Sequence, residues 1–338
     1  MTWFTPARHV LLTGAGFTKN YGGYLANEMW AAIFRQPEIR EDAELQSAMH
    51  DELNFEVLYD EVLRSTSEYS IESKHRLVAA VRRAYLQMHK RISYQSGQPR
   101  SAASAICSHA IARFVGKGRE RGFFFTLNQD LFIEEFFPSD YPVPRVPGLP
   151  TWPSQSRPLD PERDKVRLPD EAEVARVKAT FGDKGTSNFV YLKLHGSLGW
   201  TGHDGDDVLV IGQTKSELIE REPLLRWYLE LFKEVLHRPE VYLVTIGYGF
   251  GDLHINHIIV QAIREHKLRL CVVSPEDTMS FRMKMLAMVN TSGGAIPYGS
   301  ELWPAVSSYW HNVSELCEPG SSRAPRSTQE FFESIDLQ

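Results

Sequence analysis

The run Val241-Tyr242-Leu243-Val244-Thr245-Ile246 is apolar at nearly every position and breaks at once into Gly247-Tyr248-Gly249-Phe250-Gly251-Asp252-Leu253-His254-Ile255-Asn256, with helical spacing from Leu253 to His266. An uninterrupted apolar run marks a strand buried on both faces, as in a parallel sheet covered by helices. Glycines this close together let backbone pass near something else. The pattern recurs at His9 to Leu12 before Thr13-Gly14-Ala15-Gly16-Phe17-Thr18, and at Phe123-Phe124-Phe125 before Thr126-Leu127-Asn128-Gln129-Asp130. It recurs again at Phe189 to Leu192 before Lys193-Leu194-His195-Gly196-Ser197, and at Leu268 to Val273 before Ser274-Pro275-Glu276-Asp277. Strand, small polar turn and helix in repetition predict an α/β fold: a Rossmann-like parallel sheet flanked by helices, its polar turns gathered on the edge where such sheets bind ligands.

Each turn offers candidate chemistry. In Gly14-Ala15-Gly16-Phe17-Thr18 the glycines would admit a pyrophosphate to a helix N-terminus, with helical spacing from Gly22 to Phe34. The dinucleotide fingerprint is incomplete, because Lys19 stands where a third glycine is expected and no second strand ends in an acidic residue at the usual distance. Asn128 carries an amide that can donate and accept toward a ligand, while Asp130 reads equally as a helix N-cap. His195 titrates near neutral pH and is delivered by a strand to the ligand edge, which makes it the candidate base.

The chain has 338 residues, 42% hydrophobic and 24% charged, enough for one large domain. No apolar run is long enough to span a bilayer, and the start of the chain leads straight into a strand, so a cytoplasmic protein without membrane contact is expected. Cys107, Cys271 and Cys317 form no CxxC pair, which argues against a cysteine-ligated zinc module and a disulfide framework. With a net charge of -6 there is no overall basic footprint for nucleic acid, and Arg82-Arg83 to Lys90-Arg91 reads as the solvated face of a helix.

From about 38 to 119 the apolar spacing becomes helical, with Ile71, Leu77, Val78, Val81, Tyr85, Met88 and Ile92 on one stripe and a second helix over Ser101 to Val115. This predicts a helical insertion over one end of the sheet. A proline-rich lid or loop covers about 138 to 185, with a short helix near Glu171 to Ala179. Val208 to Ile211 reads as a strand and Glu222 to His237 as a helix, with His237 capping its end. A loop-like C-terminal tail follows from about 292, with a last helix-like segment at TQEFFESI. The Asp204-Gly205-Asp206-Asp207 run lacks the spacing of a calcium loop and reads as a turn.

Taken together, GAGFT at 14 to 18, TLNQD at 126 to 130, KLHGS at 193 to 197 and GYGFGDLHIN at 247 to 256 resemble the sirtuin family in order and spacing. The resemblance covers residues 8 to 35, 121 to 137, 187 to 200 and 239 to 280. It implies a fold that binds NAD, with Gly14, Ala15, Gly16, Phe17 and Thr18 around the diphosphate, and Asn128 and Asp130 at the nicotinamide and its ribose. It further implies His195 as the base beside that ribose, and Gly247 and Tyr248 near the adenosine half. Asp252, His254 and Ser274 join the cofactor-binding candidates, His254 as a capping or ribose contact at a helix start. Departures narrow it: no four-cysteine zinc ribbon is available, Thr18 stands where serine is usual, and Leu127 where deacetylases commonly have glutamine.

The pattern is therefore more similar to the sirtuin-like NADase effectors of bacterial antiphage defence, including those paired with HerA-type ATPases. That implies NAD as a substrate and hydrolysis of its nicotinamide-ribose bond, no zinc, a homo-oligomer and a defence-system partner. The alternatives are an NAD-dependent protein deacylase and a non-catalytic NAD or ADP-ribose-binding subunit, with any nucleic-acid role open. A metal-dependent nuclease built on Asp252 and His254 lacks the convergent carboxylates such a site needs.

Overall fold

The computed structural model describes residues 5–96, 106–107, 109–118, 120–137, 144–149, 159–182, 188–202, 204–212, 215–286, 296–313 and 328–336. Its strands are β1 Thr5–Pro6, β2 His9–Thr13, β3 Glu120–Thr126, β4 Val166–Arg167, β5 Phe189–Lys193, β6 Gly196–Thr201, β7 Asp207–Leu209, β8 Tyr242–Ile246, β9 Arg269–Val273 and β10 Val306–Trp310. The main sheet runs β5-β3-β2-β8-β9-β10, with the short β1 also on β3, and every pairing in it is parallel. Counted along the chain from β2, the long strands lie in the order 3-2-1-4-5-6 of a doubly wound dinucleotide fold. The α/β expectation holds.

Strand sequence explains how the sheet is covered. Successive side chains point to opposite faces. Leu11, Phe124, Tyr191, Val244 and Cys271 therefore enter one core with the helical insertion, while Val10, Leu12, Phe123, Phe125, Leu192, Leu243 and Val272 enter a second core with Pro223–Leu236 and Leu253–His266. Phe123, Phe124 and Phe125 are all fully buried. At about 2 kcal/mol for each buried aromatic ring, such strands are stable only when both faces are covered.

The helical region is built of Pro37–Arg40, Ala43–Asp51, Phe55–Leu63 and the long Ile71–Ser96. Leu77, Val81, Tyr85, Met88 and Ile92 form the buried stripe, but Ile71 and Val78 of the expected stripe are exposed. Of the expected second helix, 101–105 and 108 lie outside the described residues, Ile106 and Cys107 are helical, and the end is a single turn of 3-10 helix at Ile111–Phe114. Gly22 to Phe34 is likewise shorter than expected: Ala15–Lys19 and Ala26–Phe34 are separate helices. Arg82 pairs with Asp207 and Glu162, and Arg83 lies 2.6 Å from Glu38, so this basic stretch ties the insertion to its surroundings. Asp204 accepts from the Asp206 amide at 3.1 Å, as in a simple polar turn.

Parts of the proline-rich stretch, at 138–143, 150–158 and 183–187, lie outside the described residues, as do 314–327 with Cys317. Glu171–Thr180 is a helix, and Val166–Arg167 joins β6 and β7 in a small second sheet. Leucine and valine at 208 to 211 thus pair with the histidine segment and not with the main sheet. The tail is more ordered than a loop: β10 extends the sheet, and Thr328–Asp336 buries Phe331 and Ile335, with Phe332 stacked on His9 at 3.9 Å. No helix among the described residues is long and apolar enough to cross a membrane.

Candidate active site

β2 and β8 are neighbours in the sheet, yet the chain leaves them in opposite directions, toward β3 and β5 on one side and β9 and β10 on the other. Their ends splay at this switch point, the place where such sheets hold ligands. The two glycine loops meet there. Gly14 donates to Ile246 O at 3.1 Å and Gly16 to Gly247 O at 3.0 Å. A Cβ on Gly14 would lie 2.8 Å from Gly247 O, and one on Gly247 would lie 2.2 Å from the Phe17 amide. Gly247 also has φ 63, which only glycine adopts at little cost. The first duty of Gly14, Gly16 and Gly247 is therefore to let two loops cross.

Phe17 belongs to the core, edge-on to Phe132 at 5.6 Å, while Ala15 is exposed at the crevice. Thr18 is buried and donates to Asp130 Oδ2 at 2.9 Å, and Asn128 Nδ2 lies 3.5 Å from Thr18 Oγ1. The other carboxylate oxygen, Asp130 Oδ1, accepts from the Phe132 amide at 3.0 Å. Asp130 thus stands one residue before the N-cap, Leu131, and accepts from the first amide of the helix Phe132–Phe136, while its other oxygen fixes Thr18 next to half-buried Asn128. Beneath it, the fully buried Lys193 donates to Asp130 O and lies 2.9 Å from Glu134 Oε1.

His195 sits in the turn between β5 and β6, where Gly196 has φ 73 and a Cβ would strike Val208 O at 2.1 Å. Gln129 holds this turn, donating through Nε2 to His195 O at 3.1 Å and Val210 O at 2.9 Å. His195 is 4% exposed, and its Nε2 lies 3.0 Å from His254 Nε2 and 3.9 Å from Asp252 Oδ1. Sequence reasoning put Asp252 and His254 among the cofactor-binding candidates; the structure brings them to the candidate base. Tyr248 points inward, its hydroxyl donating to Asn256 Oδ1 at 2.8 Å. Ser274 is half-buried at the end of β9, accepting from Glu276 at 3.3 Å.

Two further residues complete the cluster. Lys215 Nζ is 2.7 Å from Asp252 Oδ1 and 2.9 Å from Glu56 Oε2. Burial pushes the His195 pKa down to about 3, and His254 follows to about 4 for the same reason, with the Lys215 ammonium lowering both. Burial pushes the Asp252 carboxyl up, but the neighbouring cations outweigh it and hold it at about 2. Lys215 itself lies above its ordinary value: burial disfavours the ammonium, and Asp252 and Glu56 more than compensate. At neutral pH the site therefore contains two neutral imidazoles, an ammonium and the Asp252 carboxylate, while burial pushes the Glu56 carboxyl up against the pull of Lys215.

His195, Asp252 and His254 offer ligand atoms within 4.8 Å of one another, a spacing that suits a metal ion. The ammonium on Asp252 already supplies the positive charge there, so these residues do not need a metal to balance it. For NAD the residues fit better. Ala15, Gly249 and Gly251 are exposed at the switch point, and a Cβ on either Gly249 or Gly251 would meet nothing within 4 Å, so backbone faces open space beside Asn128, Asp252 and His254.

A family model described as a SIR2-like domain matches residues 122–291, half of the 338-residue chain. The chain belongs to the SIR2-like domain family. No match is found among curated proteins. The SIR2-like segment holds Asn128, Asp130, His195, Lys215, Tyr248, Asp252, His254 and Ser274, and excludes Gly14 to Thr18 and Glu56. A SIR2-like domain goes with the use of NAD in general.

Sequence reasoning missed Gln129, Lys193, Lys215 and Glu56. Gln129 and Lys193 stood inside the TLNQD and KLHGS segments, where a long polar side chain next to a buried strand was the available signal. Nothing local marks Lys215 or Glu56, because their partners are distant in the chain.

Proposed function

We propose that this protein is an NAD glycohydrolase that cleaves the nicotinamide-ribose bond to give nicotinamide and ADP-ribose, and that it acts as an NAD-depleting effector in antiphage defence. The observation that carries the reading is that the paired strands β3 and β5 of a SIR2-like sheet, with Thr126 opposite Lys193, end together in Asn128, next to the Thr18–Asp130 pair, and in His195, backed by His254. A homo-oligomer and a defence-system partner such as a HerA-type ATPase belong to the same reading.

NAD supplies a positively charged leaving group, so little acid assistance is needed and the bond opens with cationic character at the ribose carbon. The protein's part is to hold, orient and accept a proton. Asn128 presents its amide to the nicotinamide end. With Nε2 of one histidine 3.0 Å from Nε2 of the other, a single proton lies between them. In the productive tautomer His195 donates that proton to His254, which leaves His195 Nδ1 as the acceptor for a proton from water or a ribose hydroxyl. The neutral state of both rings keeps this lone pair available well below neutral pH.

Cleavage of NAD in water enriched in heavy oxygen tests the acceptor. ADP-ribose carrying the label is expected. ADP-ribose bearing an acyl group, formed only when an acyl-lysine peptide is present, would instead identify a deacylase.

A further inference from the structure

Lys215 is an unusual residue to find where it is. It begins the helix Lys215–Arg221, and a cation at a helix N-terminus opposes the helix dipole. Its side chain is 13% exposed, with its ammonium between Asp252 at 2.7 Å and Glu56 at 2.9 Å. Glu56 comes from Phe55–Leu63 of the helical insertion, outside the segment that matches the family. Asn54 caps that helix, accepting from the Glu56 amide at 3.1 Å, so Glu56 is set by its own turn. The ion chain Glu56, Lys215, Asp252 therefore joins the insertion to the His195–His254 pair.

We propose that Lys215 is a positioning residue of this site: bridging Glu56 and Asp252, it fixes Asp252 beside His195 and, added to burial, keeps the histidine pair at one shared proton and no charge. The role deepens the glycohydrolase reading and rests on it for its catalytic meaning. Asp252 is the nearest anion to His195, at 3.9 Å, and would stabilise an imidazolium if it were free. Lys215 occupies the same oxygen, Oδ1, and cancels that attraction. A charged pair would be unable to take a proton from water or a ribose hydroxyl. The charged groups facing the two rings are Asp252, Lys215 and each other. Behind them Glu56 is faced by Asp60 as well as Lys215, Tyr248 lies under Asp252, and Tyr59 and Tyr85 lie on the Glu56 side.

Histidine ring NMR titration of the full chain reads the charge state without any substrate. Signals are assigned by their loss in His195→Gln and His254→Gln. In the wild type neither ring is expected to titrate between pH 5 and 8; followed down to the acid edge of the folded state, the midpoint of the pair in Lys215→Gln lies above that of the wild type by about one pH unit or more, as Coulomb's law at this range requires. Lys215→Arg restores the silent pair. Glu56→Gln/Lys215→Gln, which leaves no unpaired carboxylate on the insertion, gives the same rise as Lys215→Gln and replaces it if that variant fails to fold. In nicotinamide release from NAD, the acid limb of the pH profile moves up with the NMR midpoint.

A wild-type pair that titrates near the ordinary histidine range, or charge-removing variants whose midpoint does not rise above that of the wild type, overturns the proposal. So does Lys215→Arg behaving like Lys215→Gln, or an acid limb that does not follow the midpoint. A wild-type protein that releases no nicotinamide while its histidines titrate as described would instead overturn the glycohydrolase reading and leave the charge control standing.

Discussion

His195 and His254 are neutral at a pH where free histidines begin to charge, and this has a cost in acid. Folded His195 binds its proton only at about 3 and His254 at about 4, against 6.5 for the free side chain. Between those values the unfolded chain binds the extra protons, so stability falls as pH drops from 6.5 toward 4. Asp252 acts in the same direction further down, its contribution present above 3.8 and lost as pH falls through about 2. Thermal melting is expected to show a falling midpoint between pH 6.5 and 4, flattened in the His195→Gln/His254→Gln double variant. An equally steep fall in that variant would place the loss elsewhere. Lys193→Met, which leaves Glu134 buried without its cation, should cost about 3–5 kcal/mol in chemical denaturation. A change of less than about 1 kcal/mol would mean the pair contributes little beyond packing.

At the scale of elements, the loops matter more than the helices. Gly16 and Gly247 cross so closely that Gly247→Ala must move backbone against the Phe17 amide and adopt φ 63 with a side chain. A loss of about 1–3 kcal/mol is expected from chemical denaturation, with loss of NAD cleavage well beyond what the stability change accounts for. Wild-type stability in Gly247→Ala would show that the loops can separate. Gln129→Leu removes both hydrogen bonds through which this amide holds the His195 turn, the His195 carbonyl keeping only the Val210 amide, and should cost about 1–3 kcal/mol.

These loops were the legible part of the sequence: each followed an apolar run whose length and lack of alternation identified a covered parallel strand. The boundaries of Leu253–His266 followed from the glycine run before it and the apolar spacing within it. β10 was not legible, because Val306-Ser307-Ser308-Tyr309-Trp310 is a half-polar edge strand that reads as loop. The break between Ala15–Lys19 and Ala26–Phe34 was hidden because apolar spacing continues across it.

For the whole molecule, the doubly wound order puts every polar strand end on one edge, so the gathering of Asn128, His195 and Asp252 was readable from strand patterns alone. The pairing of Lys215 with both Glu56 and Asp252 was not, since it depends on how the insertion packs over that edge. The C-terminal helix works at the opposite end of the strands, against His9 and Phe114. Phe331→Ala should lower stability by about 3–5 kcal/mol without changing the pH profile of NAD cleavage.

The most direct test of the central claim is release of nicotinamide from NAD by the purified full chain, alone and with its genetic partner, compared with Asn128→Ala and His195→Ala. Release by the wild type, with ADP-ribose in equal amount, and a fall of about 100-fold or more in each variant is the expected result. Undiminished release by both variants would contradict the site.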